Sequence, residues 1–259
     1  MGVLNVTPDS FSDGGRFVSH ARALEHAQRM IEAGAAIIDV GGESTRPGAP
    51  VVSVEEELRR VIPVVERLAR GGHAVVSVDT STPEVILAAV AAGATLINDV
   101  RGLQRSGALE AAAAADCAVC VMHMQGEPQT MQQRPEYTDV VTEVKRFLQA
   151  RVAACEAAGI GRDRIVIDPG FGFGKTVAHN LALVRQLPEF VALRLPVLMG
   201  MSRKSTIGVI TGRADTGRLA GSLALAVAAV LRGAHIIRAH DVAETVDALK
   251  VAHAVQAGV

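Results

Sequence analysis

Eight short aliphatic runs, separated by longer segments with helical patterns, constrain the fold of this chain more than any other feature. The runs span residues 3–5, 36–39, 75–79, 95–98, 119–123, 165–168, 196–200 and 235–238 of 259. Nearly unbroken aliphatic strands that alternate with helices are typical of a parallel sheet covered on its faces. Eight such units in about 250 residues predict a single (β/α)8 TIM barrel. A doubly wound open sheet is the alternative.

Capping patterns support helices in the segments between the runs. Residues 53–56 and 241–244 match the capping-box pattern. Thr82 is followed by Pro83, and proline is favoured in the first helical position. Apolar residues at helical spacing between 141 and 155 predict a long helix with one buried face.

The composition limits the classes of partner and compartment. With 49% hydrophobic residues and no Trp, the chain can bury a large aliphatic core. It shows no linker or break in composition, so we expect one domain over residues 1–259. A formal net charge of −1 argues against general attraction to nucleic acid or membranes. The sequence has no secretory pattern and no apolar run long enough to span a bilayer, so we expect a cytoplasmic protein.

The three cysteines, Cys117, Cys120 and Cys155, are a poor framework for disulfides because their number is odd. Cys117 and Cys120 have C-x-x-C spacing, but no second pair accompanies them. We therefore expect buried packing thiols, with a redox or metal-binding role as the alternative.

Polar or ionisable residues end seven of the eight runs. They are Asn5, Asp39, Asp79, Asn98, His123, Asp168 and Arg238, while the remaining run ends at Gly200. Any one of them could be a solvated strand end. The carboxyl ends of barrel strands lie on one face, where barrel enzymes build their sites. The whole set therefore predicts an active site at the C-terminal ends of the strands.

Two kinds of side chain meet at this predicted face. The cations come from several loops and are Arg46, Arg203, Lys204, Arg238 and His240. Such a group suits a phosphorylated or carboxylated substrate. Asp79, Asn98 and Asp168 offer acceptors, and Asn98 also offers a donor, which suits a heterocycle with an amino-amide edge. Each acid alone could instead be a structural partner of a neighbouring cation.

Residues 168–175, DPGFGFGK, follow the sixth run directly. Proline bars further strand pairing, and glycines let the backbone approach a ligand closely. The end of this segment resembles a P-loop, but a P-loop needs glycine five positions before Gly174, where this chain has Pro169. We therefore expect Asp168 to stand at the rim of a pocket and expect no nucleotide phosphate site in this loop.

Taken together, eight motifs resemble those of the dihydropteroate synthase family of folate biosynthesis. They lie at 1–15, 41–48, 77–80, 97–100, 122–126, 168–175, 202–205 and 237–241, in the family's order. The resemblance implies a (β/α)8 barrel that binds pterin. It also implies a transferase that condenses (7,8-dihydropterin-6-yl)methyl diphosphate with 4-aminobenzoate, giving 7,8-dihydropteroate and pyrophosphate. Sulfonamides, which resemble 4-aminobenzoate, should compete with it.

The resemblance further implies roles for individual residues. The implied pterin-binding set is Asp79, Asn98, Met122, Asp168, Gly200 and Lys204. The diphosphate-binding set is Asn5, Arg46, Arg238 and His240, and Asn5 is also expected to bind Mg2+. The aminobenzoate-binding set is Thr45, Arg46, Phe173, Lys204 and Ser205. The catalytic residues would be Asp79, Lys204 and Arg238, and loops 7–15 and 42–48 would order over the substrates as lids.

The implied chemistry leaves some alternatives open. An aromatic amine conjugated to a carboxylate-bearing ring is a weak nucleophile, so we hypothesise a dissociative route in which diphosphate leaves before the amine attacks. One alternative is a methyltetrahydrofolate-dependent methyltransferase on a related pterin-binding barrel. Another is an inactive, synthase-like binding protein. The resemblance also implies a homodimer, with residues 221–232 as the predicted interface unless their alanines simply pack on the barrel.

Overall fold

The computed structural model of the chain describes residues 1–6, 16–43, 52–127 and 130–258. Its strands are β1 (Gly2–Asn5), β2 (Ile37–Gly41), β3 (Val75–Asp79), β4 (Leu96–Asp99), β5 (Ala118–Met122), β6 (Ile165–Asp168), β7 (Leu198–Met199) and β8 (Ile236–Ile237). Its helices are α1 (Arg16–Glu32), α2 (Val54–Gly71), α3 (Pro83–Ala91), α4 (Ala108–Ala114), α5 (Val140–Ala157), α6 (Val177–Arg185), α7 (Pro188–Val191), α8 (Ser205–Thr211), α9 (Leu219–Val230) and α10 (Val242–Ala257). None of the described helices is both long and apolar enough to cross a membrane.

The eight strands close into a barrel. Strands β1 to β6 form one parallel sheet in chain order, and β7 pairs with β8 in parallel. A parallel bridge between Ile167 and Val197 joins β6 to β7, and one between Gly2 and Ala239 joins the end of β8 to β1. The backbone N–H of Val3 donates to the carbonyl of Ala239 at 3.1 Å across this last seam. The predicted (β/α)8 barrel is confirmed, and the open-sheet alternative is wrong.

The strand register separates two hydrophobic cores. A large cluster fills the space between the strands and the surrounding helices and includes Leu4, Val40 and Val78. A smaller cluster plugs the inside of the barrel with Leu96, Cys120, Val166 and Leu198, packed against Met1, Ile37, Ala118 and Ile236. Successive side chains of a strand point to opposite faces, so these residues alternate with the outer set. The apolar plug lies toward the amino ends of the strands and leaves the carboxyl ends for polar groups.

The register also aligns the polar residues of the first four strands. Asn5 pairs with Gly41, Gly41 with Asp79, and Asp79 with Asn98. Residues paired across neighbouring parallel strands point to the same face, so these side chains share one interior layer. Strand β2 continues to Gly41, so the prediction that Asp39 ends its strand is wrong. Asp39 lies in mid-strand and is fully buried.

The helix predictions are confirmed in position but not in every cap. Helix α5 buries the predicted apolar face. Ser53 accepts the predicted hydrogen bond from the backbone of Glu56 at 3.3 Å. Thr82 and Asp241 precede their helices but make no side-chain cap. Thr82 Oγ1 instead donates to Glu57 Oε2 at 2.8 Å, and Asp241 Oδ2 accepts from Arg203 Nε at 2.9 Å.

All three cysteines are free and buried, as the sequence predicts for packing thiols. Burial raises the pKa of Cys117 and of Cys155 to about 11. Burial also raises the pKa of Cys120, which belongs to the inner plug. A thiol that is not ionised near neutral pH is a poor nucleophile and metal ligand, so the redox or metal alternative gains nothing from this arrangement.

Candidate active site

A buried ion-pair network occupies one side of the barrel mouth. Arg238, which follows β8, donates from Nε to Asp39 Oδ2 at 2.7 Å and from Nη2 to Asp79 Oδ2 at 2.9 Å. Asp39 also accepts from Asn98 Nδ2 at 3.0 Å and from Ser77 Oγ at 2.6 Å. Strands β2, β3 and β4 thereby meet the residue after β8 across the interior. Three predicted site residues, Asp79, Asn98 and Arg238, are brought together here.

Burial within this network shifts the pKa of Asp79 toward neutrality. Burial raises the pKa of Asp79 to about 7, against the opposing effect of Arg238. Negative charges on Asp39, Asp99 and Glu43 add to the rise. Burial lowers the pKa of Arg238, but the two carboxylates that it contacts outweigh burial and raise it overall. Asp79 is thus an acid that can change its charge in response to a nearby ligand.

A second group forms where β6 ends. Asp168 is buried, and its Oδ1 accepts from the backbone N–H of Gly170 at 2.7 Å. Burial raises the pKa of Asp168, with Lys204 acting in the opposite direction. Met122, at the end of β5, pairs in register with Asp168 and is buried beside it. Asp168 therefore keeps one carboxylate oxygen beyond its own loop contact for a donor in the barrel mouth.

Lys204 links this group to the glycine-rich loop. Its ammonium donates to the carbonyl of Phe171 and lies 4.3 Å from the centre of the Phe173 ring. Burial lowers the pKa of Lys204 to about 7, although the carboxylate of Asp168 opposes this effect. The charge of Arg238 lowers the pKa of Lys204 further, which indicates that both groups face one site. A cation against an aromatic face is a stable arrangement that a planar, negatively charged ligand can share.

The glycines of this loop permit close backbone packing. Gly170 and Gly172 have φ of +72° and +85°, in the left-handed region that glycine favours. A Cβ at position 172 would lie 2.7 Å from Lys204 Cδ, so the lysine crosses the loop only because no side chain is present there. The loop is thus shaped to hold Lys204 and Phe173, which agrees with the prediction that it is not a P-loop.

Lys175 is buried in the same loop and was not predicted to have a role. Its ammonium contacts the carbonyls of Gly170 at 2.9 Å and Phe173 at 3.0 Å, and His123 Nδ1 at 2.9 Å. Burial and the charge of Lys175 lower the pKa of His123 to about 3, so its ring is neutral and can accept from the lysine. The ammonium of Lys175 therefore holds the carbonyls of its own loop together.

The side of the mouth near β8 carries further donors. His240 donates its backbone N–H to Ser202 Oγ at 3.2 Å, and its Nδ1 lies 3.1 Å from the same hydroxyl. Arg203, which the sequence places among the cations of the mouth, forms a two-point ion pair with Asp241, with Nε donating to Oδ2 at 2.9 Å. His240 stays a candidate for anion binding, and Arg203 is held by Asp241. The Ser202 contact is a feature that the sequence reasoning missed.

The remaining predicted residues divide into two groups. Asn5 lies beside Asp79, because a Cβ at the intervening Gly41 would lie 3.7 Å from Asn5 Oδ1 and 4.0 Å from Asp79 Oδ2. Gly200 lies against the aliphatic stem of Arg238 in the same way. Ser205 is the exposed first residue of α8. The predicted residues Thr45 and Arg46, the loop at 7–15 and the loop at 42–48 beyond Glu43 lie outside the described residues.

The described parts of the chain hold no group of three or more His, Cys, Asp or Glu side chains arranged to bind a metal ion. What they do hold is one mouth with acceptors for an N–H-rich ring, cations for an anion, and an aromatic face. Burial is what makes each of these groups effective, because electrostatic interactions are stronger away from water. The arrangement can bind a polar heterocycle and can stabilise charge that develops beside it.

Comparisons with known proteins agree with this site. The sequence profile of a family described as "Pterin binding enzyme" matches residues 1–240. The dihydropteroate synthase of Escherichia coli (strain K12) is 58% identical over 254 residues, which cover 98% of this chain and 90% of that protein. The crystal structure of the Yersinia pestis dihydropteroate synthase with a sulfonamide drug complex superimposes with a TM-score of 0.95 at 54% identity, covering 99% of this chain and 94% of the other.

A second solved structure gives the same result. The Xanthomonas albilineans dihydropteroate synthase with 4-aminobenzoic acid superimposes with a TM-score of 0.94 at 55% identity, over 99% of this chain and 92% of the other. Identity at this level over nearly the full length of each protein extends the resemblance from separate motifs to the whole fold. This chain therefore belongs to the pterin-binding enzymes and, among them, to the dihydropteroate synthases, the transferases of folate biosynthesis.

Proposed function

We propose that this chain condenses (7,8-dihydropterin-6-yl)methyl diphosphate with 4-aminobenzoate and releases 7,8-dihydropteroate and pyrophosphate. The observation that carries the proposal is the joining of Asp79, Asn98 and Arg238 in one buried network, with Asp168 and Lys204 at the same mouth. These groups provide acceptors for the pterin and cations for its diphosphate. The family to which the chain belongs supplies the reaction.

In this proposal the pterin ring lies over the inner plug. Asp168 accepts from the amino and ring N–H edge, and Asn98 and Asp79 contact the opposite side of the ring. Met122 and Gly200 form walls, which their places beside Asp168 and Arg238 allow. Lys204 completes the pocket. A buried carboxylate that accepts hydrogen bonds from a ring discriminates strongly against rings without those donors.

The diphosphate is assigned to Arg238, His240, Asn5 and Arg46. Arg238 has five N–H donors, and its contacts with Asp39 and Asp79 use two of them. The donors that are left on the two terminal nitrogens can bind phosphate oxygens.

The second substrate is assigned to the region in front of the glycine-rich loop. The Phe173 ring would lie along the aminobenzoate ring, with Lys204 beside it. The exposed Ser205 at the start of α8 suits the carboxylate, because backbone N–H groups and the positive end of the helix dipole are near it. Thr45 and Arg46 are expected to close this pocket. A sulfonamide that mimics 4-aminobenzoate would occupy the same place.

The order of bond changes follows from the weak nucleophile. In the proposed dissociative route the C–O bond to diphosphate breaks first, and the electron pair leaves with pyrophosphate. Asp79 stabilises the positive charge that develops on the pterin methylene, and Arg238 and His240 stabilise the leaving group. The amine nitrogen then bonds to the methylene carbon and loses one proton, which passes to an oxygen of the departing pyrophosphate. Lys204 holds the pterin and borders both substrates, so that the attack occurs without exposure to water.

Magnesium is proposed to accompany the diphosphate. Mg2+ prefers oxygen ligands and usually takes one or two from the protein, with the rest from water and substrate phosphates. Asn5 Oδ1, which faces the same space as Asp79 Oδ2, is a donor of this type. The residues present therefore fit the ion, with Asn5 as the protein ligand. When bound, the ion would offset part of the negative charge of the leaving group.

The other proposed functions find less support. The relatives and structures described above are dihydropteroate synthases, so the methyltransferase alternative is not supported. A methyltransferase would also have no use for Arg238 and His240 at the mouth. An inactive binding protein could lose the residues that serve the leaving group, and this chain keeps Asn5, Lys204 and Arg238.

We also propose that residues 1–259 form one domain that works as a homodimer in the cytoplasm. The support lies on three consecutive helices with exposed apolar side chains. They are Val209 and Ile210 on α8, Leu219 on α9, Leu231 just after it, and Val251 and Val255 on α10. The small residues of α9 predicted as an interface include Ala226 and Ala229, which are buried within the protomer. The proposed interface is therefore formed by the exposed apolar side chains on and beside α8, α9 and α10.

One assay tests the proposed function directly. Purified protein is mixed with the dihydropterin diphosphate, 4-aminobenzoate and Mg2+, and dihydropteroate and pyrophosphate are measured together. Equal amounts of both products are expected, and folded protein that forms neither would refute the proposal. A sulfonamide should inhibit in competition with 4-aminobenzoate. Inhibition that excess 4-aminobenzoate cannot relieve would contradict a shared pocket.

A further inference from the structure

Asp39 is a carboxylate inside the barrel for which the proposed reaction has no direct use. It lies in the middle of β2, in register with Val3 and Ser77, and is fully buried. The next interior position along β2 is Gly41, which carries no side chain. Asp39 therefore lies one layer below the mouth, under a gap that Asn5 and Asp79 border.

Three side chains donate to this one carboxylate. Ser77 Oγ donates to Oδ1 at 2.6 Å, while Asn98 Nδ2 and Arg238 Nε donate to Oδ2 at 3.0 and 2.7 Å. The three donors come from β3, β4 and the segment after β8. A carboxylate can accept several such bonds at once, and hydrogen bonds that involve charged partners are the strong ones. Asp39 is therefore the common partner of two proposed substrate-binding residues.

The contact with Asp39 fixes which way round the Asn98 amide lies. A carboxylate accepts hydrogen bonds and does not donate them, so the end of the amide that faces Asp39 must be the NH2 group. The carbonyl oxygen of Asn98 then points away from Asp39. Without this contact the two ends of the amide are close to equal in shape, and either could face the ligand. Asp39 thus presets Asn98 as an acceptor.

Arg238 is oriented by two contacts of different origin. Nε is held by Asp39 and Nη2 by Asp79. Because the guanidinium is planar and rigid, two fixed donors define its plane and so the directions of the N–H groups that are left for an anion. With Asp79 alone, the group could turn about a single contact. Pre-organisation of this kind favours a leaving group that gains charge in the transition state.

We propose that Asp39 is a positioning residue for the synthase reaction, which holds Asn98 and Arg238 in the geometry that the pterin and the departing diphosphate require without contacting either substrate. The inference rests on the proposed function through the roles assigned to Asn98 and Arg238. It predicts that loss of Asp39 damages pterin binding and turnover, while the 4-aminobenzoate pocket is left largely intact.

Three variants separate geometry from charge. Asp39→Asn keeps the shape: its carbonyl oxygen can accept from Asn98 and Arg238, and its NH2 group can donate to the Ser77 hydroxyl. Asp39→Ala removes all three contacts. Ser77→Ala is the matched control, because it removes one contact of Asp39 and leaves those with Asn98 and Arg238 in place. For each variant we would measure kcat, the KM of both substrates, the Kd of a dihydropterin without diphosphate, and Tm.

The expected pattern is specific. Asp39→Ala should lower kcat about 100-fold and weaken dihydropterin binding about tenfold, with the KM for 4-aminobenzoate changed about twofold at most. Asp39→Asn should bind dihydropterin within about threefold of the wild-type protein, because it keeps the contacts that orient Asn98. Ser77→Ala should stay within about threefold of wild type in all four kinetic and binding constants.

Other outcomes would overturn the proposal. A merely structural role predicts a lower Tm with unchanged constants for the folded protein, or equal increases in both KM values. If Asp39→Ala fails to fold, Asp39→Asn decides the matter, and a tenfold loss of dihydropterin affinity in that variant would contradict positioning through hydrogen bonds. Wild-type protein that makes no dihydropteroate would refute the proposed function instead, and the dihydropterin titration would still test Asp39 by itself.

Discussion

Replacing Gly172 by alanine should damage the site more than the fold. Gly172 has φ +85°, and a residue with a side chain adopts this conformation at a cost of roughly 1–2 kcal/mol. An alanine Cβ would lie 2.7 Å from Lys204 Cδ and 3.4 Å from its Cε. Because these atoms belong to a flexible side chain, we expect Lys204 to move aside and the barrel to remain folded.

The magnitude follows from the contacts that Lys204 would lose. Displacement of the side chain takes the ammonium away from the Phe171 carbonyl and from the Phe173 ring, whose centre is 4.3 Å away. A hydrogen bond from a charged group contributes about 1.5–3 kcal/mol. If that stabilisation is lost at the reacting site, kcat/KM falls roughly 10- to 150-fold. We expect the KM of both substrates to rise, since Lys204 borders both.

Gly159→Ala is the matched control. Gly159 has φ +92°, and a Cβ there would meet no atom within 4 Å. It lies before β6, at the end of the barrel opposite to the mouth. Both variants should lose a similar amount of stability, about 2–8 °C in Tm, but only Gly172→Ala should lose activity. Unchanged kcat/KM in Gly172→Ala, or an equal loss in Gly159→Ala, would refute the assignment of this loop to the site.

Three further predictions concern charge. The pKa values of Asp79 and Lys204 both lie at about 7. A pH–rate profile should therefore show kcat/KM falling below about pH 7, as Asp79 is protonated, and above about pH 7, as Lys204 is deprotonated. The variant Lys204→Arg should lose only the fall on the alkaline side. Arg203→Ala should lower kcat/KM less than about threefold, because Arg203 is engaged in a half-exposed ion pair, whereas Arg238→Ala should lower it at least about 100-fold in the same assay. Burial lowers the pKa of His123 from 6.5 to about 3. Between these two pH values the imidazole is protonated in the unfolded state but not in the folded state, so the free energy of unfolding should fall by about 1.4 kcal/mol for each pH unit that the pH drops. Urea unfolding at several pH values measures this slope, and His123→Gln should lack the contribution.

The barrel could be predicted from the sequence because its signal is local. Each strand is an aliphatic run of a few residues, and each polar residue at a strand end follows its run directly. Closure of eight such strands then forces their carboxyl ends onto one face, so proximity of Asp79, Asn98 and Asp168 follows without any knowledge of register. These residues do share one mouth in the structure.

The contacts of Asp39 could not be predicted in the same way. Its main partner, Arg238, lies 199 residues away in the sequence, and nothing local to β2 indicates that pairing. The missed signal was the position of an acid inside the pattern Ile-Ile-Asp-Val-Gly, since alternation along a strand places it with Gly41 on the interior face. Arg203 was misjudged for a related reason, because a cation near a mouth can be paired with a carboxylate that only the tertiary structure reveals. The role of Lys175 was missed, because its contacts with loop carbonyls also depend on the tertiary structure.

The raised pKa of Asp79 fits the dissociative order. Burial raises the pKa of Asp79, and the negative charges of Asp39 and Asp99 add to the rise, although Arg238 opposes it. The ionised form of this acid is therefore unfavourable in the free protein. A cationic pterin methylene would stabilise ionised Asp79 as the positive charge develops. A concerted displacement, in which little positive charge builds up on carbon, would gain much less from this arrangement.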